Sequence, residues 1–135
     1  MKVVLDPSIL AAAAISRDGS CRMLLREFRS GAFEVVASPR LLAELEALLD
    51  RPAVRRHVSR ADAAAVLTLV RQETTILDDP PVGDTTVGED PGDEYLIALA
   101  RAGSARALVS ADPHLTRLAN RLPILTPTEF ALLLQ

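Results

Sequence analysis

The sequence predicts an α/β domain in three layers, with a central, mostly parallel sheet of four to five strands covered by helices on both faces. The short apolar run KVVL at 2–5 suits a strand buried on both sides, and FEVVA at 33–37 and ALVS at 107–110 are further strand candidates. Segments with helical spacing and helix start and stop residues separate them. A chain of 135 residues, 49% of them hydrophobic, has the size and apolar surface for one domain, expected over 1–135, with one core and one site.

The elements follow in order. After KVVL come Asp6 and Pro7; Ser8 is the expected cap of a helix favoured by Ala11 to Ala14. A second helix over 20–30 places Met23, Leu24 and Phe28 near one face and stops at Gly31. The 33–37 strand leads to Ser38-Pro39, a cap with proline at the first helical position. Leu41, Leu42, Leu45, Leu48 and Leu49 then form an apolar stripe. Residues 51–73 predict one or two helices, with Pro52 an interruption and Ser59 a cap, and 74–77 a strand. The Pro, Gly, Asp and Thr of 78–92 mark a loop long enough to hold a short strand near 85–87. A helix over 93–102 ends at Gly103; the 107–110 strand, a short helix over 112–120, a strand over 123–126 and a helix over 127–134 complete the chain.

Composition removes several function classes. The net charge is −3, and of the fifteen basic residues all but Lys2 are arginine, so no mechanism can call on a buried lysine mid-chain. A mildly acidic chain is a poor match for a module that merely coats nucleic acid, whereas an enzyme that holds cations with carboxylates spends acids on metal. With Cys21 as the sole cysteine, an intrachain disulfide and a cysteine-rich zinc site are ruled out, and a reducing cytoplasm is the expected compartment. The alanine-rich 8–15 stretch lacks the basic flank of an export signal, and no apolar run reaches membrane-spanning length.

In open parallel sheets ligands bind beyond the carboxyl ends of the strands. Asp6 stands directly after the first strand and Asp112 two residues after ALVS, as either caps or site residues. Glu89, Asp90, Asp93 and Glu94 form a third group. Acids in a first helical turn are stabilised by the helix dipole alone, but Glu89 and Asp90 precede that turn. Glu44 and Glu46 flank the leucine stripe on opposite sides, and periodicity does not choose between them. Converging hard oxygen ligands would suit Mg²⁺ or Mn²⁺ rather than Zn²⁺. Packed acids repel one another unless a cation is present, and two ions about 4 Å apart suit phosphodiester hydrolysis.

VVLDPSIL, SPRLLAELEALLDRP, EDPGDEYLIALARAGSARALVSADPHL and PILTPTEF, in that order, closely resemble the PIN-domain family over almost the whole chain, in particular its VapC-like branch of toxins from toxin-antitoxin systems. The resemblance implies a three-layer PIN-like fold and a site of four acids. Asp6 closes the first strand, Glu44 rather than Glu46 lies in the AEL phrase, Asp93 opens the D-x-x-[apolar]-x-A-x-A helix, and Asp112 ends SAD. Metal would be held by Asp6, Asp93 and Asp112, with Glu44 and Glu94 as further ligands. It also implies Mg²⁺- or Mn²⁺-dependent endoribonuclease activity on RNA, a homodimer, and a cognate antitoxin protein whose C-terminal segment occupies the groove. Relatives commonly read Asp-Thr-Asn where this chain reads Asp6-Pro7-Ser8, and Gly92 stands where a further acid is common.

Around these acids, Ser8 is a candidate hydrogen-bond donor to a carboxylate, His114 a candidate for proton transfer or substrate orientation, and Thr116 a supporting donor. Arg51, Arg55, Arg56, His57 and Arg60 form the densest basic stretch. It reads first as a solvated helix surface, with Arg55 and Arg56 the candidates for phosphate contact. The three phenylalanines are expected in the core, so base stacking is a poor source of specificity. A phosphoacceptor receiver domain would need an acidic pair at the first strand and a late lysine, and a haloacid-type phosphatase a D-x-D motif; the chain has none of these. The remaining alternative is a catalytically inactive PIN module that binds RNA or a protein partner.

Overall fold

The computed structural model describes residues 1–16, 19–81, 91–118 and 123–135, with 91–93 through their backbone alone. Among the described residues five strands, β1 (Lys2–Leu5), β2 (Glu34–Ala37), β3 (Thr75–Ile76), β4 (Ala107–Val109) and β5 (Ile124–Leu125), form one sheet in the order β3-β2-β1-β4-β5, and every pair among them is parallel. Val3 lies opposite Val35 on one side and Ala107 on the other, so β1 is the central strand.

Strand alternation sorts the core into two layers. Val3, Leu5, Val35, Ala107 and Val109 face α1 (Pro7–Ile15), α2 (Ser20–Arg29), α3 (Pro39–Leu49), α4 (Pro52–Arg55), α5 (Arg60–Glu73) and α8 (Pro127–Leu133). Val4, Val36 and Leu108 face α6 (Pro91–Ala102) and α7 (Pro113–Thr116). After the exposed Lys2 and Glu34 at their starts, β1 and β2 are apolar at every position, as is β4, because both faces are covered there. Phe33 joins the two ends of the first layer, tilted on Phe28 at 6.1 Å and edge-on to Phe130 at 5.0 Å.

Several starts differ from the sequence reading. The cap of α1 is Asp6, not Ser8: its carboxylate accepts from the Ser8 N–H at 3.0 Å. Pro7 at the first helical position costs no hydrogen bond, since that N–H has no partner in a helix. Pro52 opens α4 rather than interrupting a helix, for the same reason. Asp112 caps α7 from outside it, through the His114 N–H. Ser38 and Ser59 cap as expected, and Gly31 ends α2 at φ +83°, a left-handed conformation that glycine adopts without strain. Leu41, Leu45 and Leu49 are buried, while Leu42 and Leu48 are partly covered. The strand expected near 85–87, together with Glu89 and Asp90, lies outside the described residues.

Candidate active site

The chain winds from β1 through β2 to β3 on one side and continues with β4 and β5 on the other, so the sheet reverses direction between β1 and β4. In open parallel sheets such a reversal of strand order is where ligands bind, beyond the carboxyl ends of the two strands. Asp6 and Ser110 sit at those ends. The Asp6 N–H donates to the Val109 carbonyl at 2.9 Å, which ties it to the rim, and Ser110 N–H donates to Leu125 of β5 at 2.9 Å.

Ser110 is fully buried, and its hydroxyl works in both directions. It donates to Asp6 Oδ2 at 2.8 Å and accepts from the Asp112 N–H at 3.0 Å. One side chain therefore joins the two strand-end acids. Asp6 is 9% exposed, and with Ser8 N–H on Oδ1 each of its oxygens receives one donor. A carboxylate oxygen has a second lone pair, so both can still meet a cation. Asp112 Oδ1 accepts from the His114 N–H at 2.9 Å and lies 3.0 Å from His114 Nδ1. Its Oδ2 has no hydrogen-bond partner among the described residues.

Glu44 reaches the same end from α3. Its partner is Tyr95 of α6, buried to 2% exposure, whose hydroxyl donates to Glu44 Oε2. Burial holds the Tyr95 phenol well above its ordinary range, and the Glu44 hydrogen bond, the Glu44 charge and the Asp6 charge push the same way; Arg40 opposes them. Both acids therefore act on one hydroxyl, which keeps its proton. Glu46 points elsewhere and pairs with Arg71 at 3.4 Å on the surface. The guanidinium of Arg40 covers the Tyr95 ring, 4.3 Å from its centroid. The Arg40 N–H donates to the Asp79 carboxylate at 3.1 Å, so the start of α3 is anchored beside the exit of β3.

Asp93 lies near the start of α6, two residues before Tyr95, and its side chain is outside the described residues. Glu94 is half-buried on the same helix. Thr116 is tied by its N–H to the Asp112 carbonyl at 2.9 Å, within the α7 turn. Arg55 pairs with Asp50 at 3.4 Å beyond the far end of α3, and Arg56 is exposed beside it. An eleven-residue helix is about 16 Å long, so neither joins the strand-end acids.

Sequence reasoning missed Ser110, Tyr95 and Arg40. Ser110 was visible only as the first letter of SAD, and Tyr95 only as the aromatic that was not a phenylalanine; nothing in Arg40 distinguished it from the other arginines.

No three His, Cys, Asp or Glu side chains among the described residues form a ready-made cage. The donor set is nonetheless hard oxygen, arranged as Asp6 beside Asp112 through Ser110 and Glu44 across Tyr95. Such a set fits Mg²⁺ or Mn²⁺, which take one or two carboxylates and leave other positions to water and phosphate.

The fold is similar to that of PAE2754 from Pyrobaculum aerophilum, with a TM-score of 0.68 and 18% identity, covering 99% of this chain and 89% of that one. It is also similar to VapBC2 from Rickettsia felis bound to a DNA fragment from its promoter, with a TM-score of 0.62 and 19% identity, covering 93% of this chain and 98% of that one. No curated protein matches. The family model described as the PIN domain matches residues 2–114, and the chain belongs to the PIN domain family.

Proposed function

We propose that the chain, as one PIN domain over 1–135, is a Mg²⁺- or Mn²⁺-dependent endoribonuclease and the toxin of a toxin-antitoxin pair. The observation that carries the reading is the Ser110 hydroxyl, which binds Asp6 and the Asp112 backbone at once and so joins two acids at the sheet's reversal. Membership of the PIN family and the likeness of fold to VapBC2 support it.

In this reading Asp6, Asp93 and Asp112 hold the metal, with Glu44 and Glu94 as further ligands. Bound there, Mg²⁺ would polarise the phosphodiester and lower the pKa of water. The chain's own residues orient these groups. Ser110 and the Ser8 N–H fix the Asp6 carboxylate, His114 fixes Asp112, and Tyr95, holding its proton, fixes Glu44. In the net reaction a water oxygen joins phosphorus, one P–O bond breaks, and the leaving oxygen takes a proton.

The partners in this reading are RNA, a cognate antitoxin protein and a second copy of the chain in a homodimer, and the compartment is the cytoplasm. No described helix is long and apolar enough to cross a membrane. The purified chain, free of antitoxin, should cleave RNA with Mg²⁺ or Mn²⁺ and stop with a chelator. Asp6→Asn should abolish cleavage while the circular dichroism spectrum stays native. Full-rate cleavage by Asp6→Asn would remove Asp6 from the site. A wild-type chain that binds RNA but does not turn it over under any divalent ion would favour the inactive module.

A further inference from the structure

RNA brings one negative charge per nucleotide to a site whose own side chains are acidic. Cations held by the acids answer part of that repulsion, but an ion in the centre does not by itself set where the strand lies. Arg40 has the features of a fixed phosphate contact. It stands one turn before Glu44 on α3, so both side chains rise on the same side of the helix at the end of the sheet where Asp6 sits. Its guanidinium rests on the Tyr95 ring, and its charge acts on the Tyr95 hydroxyl against those of Asp6 and Glu44.

Stacking uses the face of the guanidinium and leaves the N–H edge free to donate in its own plane. Among the described residues that edge meets no carboxylate and no carbonyl, since Asp79 is bonded to the Arg40 backbone N–H instead. The residue is exposed, while the ring beneath it is buried and held by its hydroxyl on Glu44. A cation on a rigid platform loses less freedom on gripping an anion than one on a free stem.

We propose that Arg40 is a substrate-binding residue: its planar edge holds a backbone phosphate of the RNA strand next to the phosphate being cut, and Tyr95 is the platform that aims it. This rests on the ribonuclease reading. The same chain thereby links the two tasks, since Tyr95 orients Glu44 through its hydroxyl and Arg40 through its ring.

The test compares Arg40→Ala, Arg40→Met and Arg40→Lys in two assays. Cleavage of a single-stranded RNA with Mn²⁺ gives KM and kcat. Binding of the same labelled RNA to Asp6→Asn protein, with and without each Arg40 change, is followed by fluorescence anisotropy over a range of salt. Arg40→Met keeps an apolar cover on Tyr95 and removes the charge. Both Arg40→Ala and Arg40→Met should raise KM about tenfold with kcat within about twofold, the loss expected for one charge-assisted hydrogen-bonded contact. The plot of log affinity against log salt should become shallower by about 0.7, one phosphate fewer. Arg40→Lys should recover part of both.

If Arg40→Met binds and cleaves like the parent while Arg40→Ala loses affinity and melts earlier, Arg40 is only a cover for the ring and the proposal fails. If the parent cleaves and no Arg40 variant changes KM or the salt slope, this proposal fails and the ribonuclease reading stands. If the parent does not cleave, that reading fails, and the anisotropy series alone still decides whether Arg40 holds a phosphate.

Discussion

Ser110 and Tyr95 show how single hydroxyls organise this site. Ser110→Ala would strip one donor from Asp6 and leave the Asp112 N–H without its acceptor, beside a fully buried position. Leaving a buried group unsatisfied costs about 1–3 kcal/mol, so thermal denaturation should show a melting temperature lower by several degrees. RNA cleavage should fall with it, because Asp6 is no longer fixed. Tyr95→Phe removes the donor to Glu44 and should lower cleavage while the ring still fills its place. That variant also has a signature in alkali. The Tyr95 phenol is raised in the folded chain above its ordinary value of 10.0, so the folded state favours the protonated form. The stability this supplies is fully present below about pH 10 and is lost as pH rises above it, where the unfolded chain has already released the proton. Alkaline unfolding should therefore begin at higher pH in Tyr95→Phe than in the parent, relative to their stabilities at neutral pH. An unchanged difference between the two from pH 8 to 12 would show that Tyr95 does not titrate with unfolding.

At the scale of elements, the helices are placed by what stops and starts them. Four helices among the described residues open on a side-chain oxygen and a proline together, at Asp6-Pro7, Ser38-Pro39, Asp112-Pro113 and Thr126-Pro127. The last adds a reciprocal bond in which the Thr126 N–H donates to the Glu129 carboxylate. This punctuation is why element order was legible from residues alone. What it left open was whether Asp6 and Asp112 are caps or site acids: both are caps, and both follow strands at the carboxyl end of the sheet. The choice between Glu44 and Glu46 was closed to periodicity, since it depends on Tyr95, fifty-one positions away, and on Arg71 for the other glutamate. Gly103, expected only as a stop, also permits close packing. A Cβ there would lie 2.9 Å from Val36 Cγ1 and 3.3 Å from Leu77 Cδ1. Gly103→Ala should cost about 1–3 kcal/mol by forcing α6 from the sheet, readable as a lower urea midpoint with the same slope. A midpoint equal to the parent's would show that Val36 can yield.

For the whole molecule, winding order decides where chemistry can occur. Strands β2 and β3 grow from one side of β1, and β4 and β5 from the other, so the two strands that carry Asp6 and Ser110 part company above the sheet. The α3 layer contributes Glu44 and Arg40 from one face, and the α6 layer contributes Tyr95 from the other, meeting over that gap. Three-layer order and parallel strands were evident in the runs of apolar residues. The reversal at β1 was not, because strand order depends on which edges meet and leaves no mark in local pattern. If Asp6 and Asp112 share a cation, each should be needed for the chain to hold Mn²⁺. Electron paramagnetic resonance should count Mn²⁺ held by the parent with single-stranded RNA present, and the bound fraction should fall sharply in Asp6→Asn and in Asp112→Asn while both keep their native spectra. Equal Mn²⁺ binding by the parent and both variants would show that Asp6 and Asp112 hold no cation.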